Sequence, residues 1–156
     1  AMQESADSMF PAFLAGANFI HQAAGWLEGG LVVGYEKFIL DSDRLGMLHR
    51  MGDGMIINEN SLGFSAYMEN SPGENFLGTE HTGENFETAN FRSEIADNNS
   101  FEQWEEDGSK DAEERAYERW NTMLDEYIEP PMDPATDEEL KDFIRLKKDS
   151  MDDEWY

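Results

Sequence analysis

Apolar and polar positions fall into two textures that change near residue 92: short runs rich in Gly, Met and aliphatics before it, charged stretches with widely spaced aromatics after it. In the first part, residues 10–17 are apolar and small, and residues 18–24 (NFIHQAA) form a short run closed by Gly25, which predicts a buried strand. From Gly30 onward, Leu31, Tyr35, Phe38 and Ile39 recur at helical spacing, and Leu45 and Leu48 continue a second helical stretch before Gly52 and Gly54. Asn60 or Ser61 is expected to cap a helix carrying Leu62, Ala66 and Tyr67, stopping near Asn70 ahead of a turn at Ser71, Pro72 and Gly73. Residues 75–79 (NFLGT) predict a second strand, and a helix bearing Phe86 and Ala89 follows. Strand, helices, strand, helix is the order of repeated βα units, which close parallel sheets and barrels.

The second part predicts three helices, over residues 101–106, about 110–128 and about 136–151. Ala112, Ala116, Trp120, Met123, Leu124 and Tyr127 share one side of the middle helix, with Ser109 as its expected cap. Asp111, Glu113 and Glu114 suit the positive end of its dipole. Pro130, Pro131 and Pro134 end it, and Thr136 with Glu139 predicts a capping box ahead of a narrow stripe of Leu140, Phe143 and Ile144. The expected organisation is therefore residues 1–92 as βα units and residues 93–156 as a carboxy-terminal helical extension.

Composition adds limits. A hydrophobic content of 39% with 12% aromatics argues against disorder, despite a formal net charge of −24 from 35 acidic and 11 basic residues. That charge repels phosphate backbones, and no dense Lys/Arg cluster offsets it, so neither nucleic acid nor an anionic membrane is an expected partner. The apolar runs are interrupted well short of a membrane-spanning length, which predicts a soluble, cytoplasmic chain. With no Cys there is neither a disulfide framework nor a thiolate metal site.

The motif search is mostly negative: the chain holds no GxGxxG, GxxxxGK[ST], HExxH or GxSxG. His21 and His81 stand at or just beyond the two strand candidates, the end at which a parallel barrel binds its substrates. Each reads equally as a substrate-facing imidazole or as one that satisfies a loop. His49 lies on a charged helical turn and is expected at the surface. The histidines share no helical face, which disfavours a metal site. Gly25, Gly29 and Gly30 around Trp26 and Glu28 read first as a tight connection into a helix and second as a ligand contact. Trp26 offers a ring face to a quaternary ammonium group or, more simply, a core residue.

The segments AFLAGANFIHQAAGWLEGGLVVGYEKFILDSDRLGMLHRM, SPGENFLGTEHTGENF, FEQWEEDGSKDAEERAYERW and EPPMDPATDEEL resemble, in order and spacing, the end of trimethylamine methyltransferase family proteins. The resemblance covers nearly the whole chain, and its most specific pieces are GANFIHQAAGWLEGGL and FLGTEHT. It implies an α/β fold, the carboxy-terminal part of a (β/α)8 TIM barrel, here its last two βα units plus terminal helices. It implies a methyltransferase passing a methyl group from trimethylamine, or from a quaternary amine such as glycine betaine, to the corrinoid (cobalamin) of a separate partner protein. No cofactor is expected on this chain itself, and a homo-oligomer is expected. By their places after the strand candidates, His21, Gln22, Thr79 and His81 are the residues expected to contribute to the substrate wall. Gly52, Asp53 and Gly83 depart from the leucine-like residue the family pattern leads one to expect, and Gly within a helix costs about 1 kcal/mol relative to Ala. Read as a different class of protein, the chain would be a non-catalytic acidic helical interaction module of the same ancestry.

Overall fold

A computed structural model describes residues 1–151. Contacts group the chain into one unit over Ala1–Leu124 and a second beginning at Asp125.

The first unit opens with α1 (Met2–Leu14), followed by turns and a hairpin of β1 (Trp26–Leu27) and β2 (Val32–Val33). The strands pair antiparallel, Trp26 opposite Val33 and Leu27 opposite Val32, around a 3-10 turn at Glu28–Gly30. Gly25 enters the hairpin with φ +85°, and a Cβ there would stand 3.1 Å from Val33 Cγ1 and 3.2 Å from Phe38 Cβ. Only glycine combines that backbone with so close an approach. The hairpin runs directly into α2 (Tyr35–Gly52), one uninterrupted helix where the sequence predicts two stretches.

α1 packs on α2, and the crossing explains the departure at Gly52. A Cβ on Gly52 would lie 2.8 Å from Phe13 Cζ, so the ring of α1 occupies the space a larger residue would need. After α2 come two short helices, α3 (Glu59–Leu62) and α4 (Phe64–Glu69), separated by Gly63 in the left-handed conformation. Asn58, and not Asn60 or Ser61, caps α3: its side chain accepts from Ser61 N, and the Ser61 side chain accepts from Asn58 N.

Neither predicted strand forms. Residues 18–24 are turns and bends, with Gln22 at φ +58°, a conformation an extended strand does not contain. Ile20 and Ala23, half-buried, line a cleft with Phe13 of α1 and Leu45 and Leu48 of α2, facing helices and not another strand, while Phe19 on the same cleft is 80% exposed. Residues 75–79 wind into a 3-10 turn at Phe76–Gly78. Asn75 accepts from Leu77 N at 3.1 Å, and the Thr79 hydroxyl donates to Phe76 O at 2.9 Å. Such local side-chain bonds give the backbone an alternative to a ladder. A short apolar run carries no period that tells strand from turn, which is why both expectations fail. Thr79 then caps α5 (Glu80–Asn85), which stops before Phe86 and Ala89. The described residues thus form a mostly helical structure with one two-stranded sheet.

α6 (Phe101–Glu106) has the predicted bounds, and Ser100 caps it. α7 spans Ala112–Asp125, inside the longer helix expected. Asp111 takes the capping role predicted for Ser109: its Oδ1 accepts from Glu114 N, and Glu114 Oε2 accepts from Asp111 N, both at 2.9 Å. Ala116 is 0% exposed, and it buries with Ile39 of α2 and Ile95, flanked by Leu40, Ala112 and Trp120. This cluster joins residues on both sides of position 92, so packing does not divide where the texture changes. The segment between α5 and α6 is strapped down by Asp43, which accepts from Ser93 Oγ at 2.6 Å and Glu94 N at 3.0 Å, and by Arg115 Nε, donating to Ile95 O at 2.6 Å.

The second unit contains α8 (Pro134–Asp149), with Pro at its start and Asp133 accepting from Thr136 N. The capping residue is Asp133, not Thr136, because the three prolines move the helix start forward. The last five residues of the region 93–156 lie outside the described residues. Among the described residues, no helix is long and apolar enough to cross a membrane.

Candidate functional site

The buried polar centre of the first unit is a pair that sequence reasoning missed. Lys37 and Asp41, one turn apart on α2, are 7% and 3% exposed and form an ion pair. Lys37 Nζ also donates to Ser5 Oγ of α1 at 2.7 Å, and Asp41 Oδ2 accepts from Gly25 N at 2.9 Å. One ion pair therefore ties α1, the hairpin entrance and α2 together. Asp41 Oδ1 is buried with no hydrogen-bond partner. The available signal was an i, i+4 charge pair within the turns that carry Phe38 and Ile39, although such pairs are more often solvated.

Lys37 forms part of the floor of a cleft of about 300 Å³ between α1 and the hairpin, with Ser5, Gln22, Trp26 and Glu28 on its walls. Gln22, one of the residues expected at the substrate wall, lines this cleft. Trp26 presents a partly exposed ring to the same space, but Lys37 and Glu28 stand there together, so the cleft has no single preferred charge for a ligand. His21 is exposed in the neighbouring turn, its ring 6.0 Å from that of Phe19.

Thr79 and His81 serve a different neighbourhood. Thr79 is buried, and its hydroxyl is taken up by Phe76 O and by the cap of α5. His81 Nε2 donates to Asn60 O at 2.6 Å, which fixes the proton on that nitrogen. Asn60 and Asn85 exchange amide hydrogen bonds at 2.7 and 2.9 Å, and Asn85 Nδ2 donates to His81 O at 2.8 Å. The His81 ring thereby staples α5 to α3. Among the described residues, no hydrogen bond joins His21 or Gln22 to Thr79 or His81.

A cleft of about 430 Å³ lies beside Ser93, Asp97, Trp104, Lys110 and Arg115. Of the cationic groups on its lining, Arg115 donates to Ile95 O and to Lys110 O, and Lys110 Nζ donates to Glu118 Oε2 at 2.8 Å; Trp104 Nε1 also donates to Lys110 O, at 2.8 Å. His49 is exposed, as expected.

Among the described residues, no hydroxyl is hydrogen-bonded to a histidine, so no activated oxygen nucleophile is assembled. No group of three His, Asp or Glu side chains among them is placed to hold a metal ion. The clefts are of the size that admits small organic molecules.

The chain is 31% identical over 141 residues to a glycine betaine methyltransferase of Desulfitobacterium hafniense (strain Y51), an alignment covering 90% of this chain and 29% of the relative. It is 27% identical to the trimethylamine methyltransferase MttB of D. hafniense (strain DSM 10664 / DCB-2), over 87% of this chain and 27% of that protein. It is 29% identical to MttB1 of Methanosarcina mazei, over 82% and 26%. The chain therefore spans less than a third of the length of these curated relatives. The family model described as trimethylamine methyltransferase (MTTB) matches residues 1–152, and the chain belongs to that family.

Proposed function

We propose that this chain is the carboxy-terminal portion of a cytoplasmic methyltransferase that moves a methyl group from trimethylamine, or a quaternary amine such as glycine betaine, to a separate corrinoid protein. The observation that carries the reading is the alignment of 82% or more of this chain with 26–29% of methyltransferases acting on both kinds of amine. On this reading the barrel and the apparatus of transfer belong mainly to sequence outside these residues, and the corrinoid supplies the cobalt that accepts the methyl group.

Packing supports a portion over a self-contained interaction module. The buried apolar residues are few and mostly small or aliphatic: Ile39, Leu48, Ala66, Ile95 and Ala116. Met55, Ile56 and Ile57, three successive large apolar residues, stand in the open. Apolar surface of that extent marks a face meant for other protein.

On this reading Gln22 supplies its side chain to the substrate wall, with His21 exposed beside it, while Thr79 and His81 hold α5 in a separate neighbourhood. The test compares this chain with a version that includes the preceding sequence, assaying methyl transfer from trimethylamine and glycine betaine to reduced cobalamin. The longer protein is expected to form methylcobalamin and release the demethylated amine, and this chain alone to form none. Turnover by the chain alone, or none by the longer protein with either amine, refutes the proposal. In the longer protein, Gln22→Ala is expected to raise KM with an unchanged melting temperature.

A further inference from the structure

The charges of α8 are ordered by sign along its length. Its cap and first turns carry Asp133, Asp137, Glu138 and Glu139, whereas residues 141–149 carry Lys141, Arg145, Lys147 and Lys148 against Asp142 and Asp149. Those four bases are more than a third of the 11 in a chain of net charge −24. Between the two halves, Leu140, Phe143 and Ile144 fall on one face and are 46%, 59% and 51% exposed. α7 buries Ala116 from its comparable stripe, but α8 buries nothing.

We propose that this face pairs with α8 of a second copy of the chain, antiparallel about a two-fold axis. A two-fold interface must be complementary to itself. Parallel pairing would set acid against acid and base against base; antiparallel pairing sets the acidic half of each helix against the basic half of the other and opposes their dipoles. With the axis level with residue 142, Leu140 lies opposite Ile144 of the second copy, Phe143 packs beside the axis, and Asp137 lies opposite Lys147. Lys148 follows one residue on, three helical turns from Asp137 and so on its side of the stripe. Asp137 already holds Lys141 through Oδ2 at 2.6 Å, and a carboxylate has acceptor sites for a second ammonium group.

Two such helices meet over about 24 Å. That contact is smaller than the roughly 1,200–2,000 Å² of a stable complex, so association is weak and depends on concentration. Net charge repels the copies at long range while the paired charges attract at contact, so salt acts on both terms and charge reversal is the cleaner probe.

Sedimentation equilibrium on the purified chain across a concentration series tests the pairing. The expected result is a monomer–dimer equilibrium that Phe143→Glu abolishes, with helix content by circular dichroism unchanged because Phe143 is exposed. Asp137→Lys is expected to weaken dimerisation about fivefold, equivalent to about 1 kcal/mol over two symmetry-related pairs. Adding Lys147→Asp to that variant is expected to restore it. A chain monomeric at every concentration, a dimer indifferent to Phe143→Glu, or a double variant no tighter than the single one overturns the proposal.

Discussion

Trp120 Nε1 donates to Glu36 Oε1 at 2.9 Å, closing a link between α7 and the first turn of α2 across 84 positions of sequence. Tyr35 stacks on the same indole at a centroid distance of 5.0 Å, and Tyr117 meets it edge-on at 5.2 Å. Trp120 also packs on the cluster of Ile39, Ile95 and Ala116. Trp120→Ala is expected to destabilise the first unit by about 3 kcal/mol, the lower end for a large aromatic because the ring is only partly buried. Trp120→Phe keeps most of the packing and is expected to cost about 1 kcal/mol for the lost hydrogen bond. Urea denaturation measures both; equal losses would show that the hydrogen bond and not the packing of the ring makes the link.

The buried pair of Lys37 and Asp41 gives a second prediction. Lys37→Met strands the carboxylate and is expected to cost about 3–5 kcal/mol. Replacing both residues, Lys37→Met with Asp41→Leu, is expected to recover most of that loss, although Gly25 N then lacks its acceptor. A double variant as unstable as the single one, in the same denaturation experiment, would mean that the pair orders the hairpin entrance by more than charge balance.

Gly52 meets Phe13 where α1 crosses α2. Gly52→Leu is expected to destabilise by about 1–3 kcal/mol through overpacking, despite the higher helix propensity of Leu. Phe13→Ala in the same chain is expected to relieve part of that cost. Thermal melts of the two single variants and the double variant form the cycle that checks it.

Glu102 occupies the first turn of α6, where a backbone N–H and the Ser100 hydroxyl hold its carboxyl below its ordinary 4.5. A depressed folded-state value contributes stability above the unfolded value, and the contribution is lost as pH falls through the folded one. The expected outcome is an NMR titration of the Glu102 carboxyl with a midpoint below 4.5, and fraying of α6 only at more acid pH. Ser100→Ala is expected to move that midpoint upward.

Helices were legible where periodicity ran long. The spacing of Tyr35, Phe38, Ile39, Leu45 and Leu48 predicts α2, and the stripe of Ala112, Ala116 and Trp120 predicts α7, because three or more turns repeat the same signal. Capping residues were misplaced by two or three positions at α3, α7 and α8, since Asn, Ser, Thr and Asp near a helix start are alternatives that local sequence does not rank. Of the four residues expected at a substrate wall, Gln22 lines the cleft beside α1, His21 is exposed in the neighbouring turn, and Thr79 and His81 are engaged in holding α5. The residues that tie the first unit together, Lys37 with Asp41 and Asn60 with Asn85, lie outside what pattern reading detects.

The amino-acid sequence by itself determined the family, the long helices and the strongly acidic surface, because motif order, helical period and charge are properties written in the order of residues. Tertiary structure alone decided that residues 18–24 and 75–79 are turns. Their apolar side chains fit equally well on a neighbouring strand or on a helix, and only the presence of α1 and α2 beside the one, and of the side-chain bonds from Asn75 and Thr79 in the other, selects between those outcomes. It also decided that Lys37 and Asp41 are buried, since an ion pair one turn apart is the same in sequence whether water or protein surrounds it.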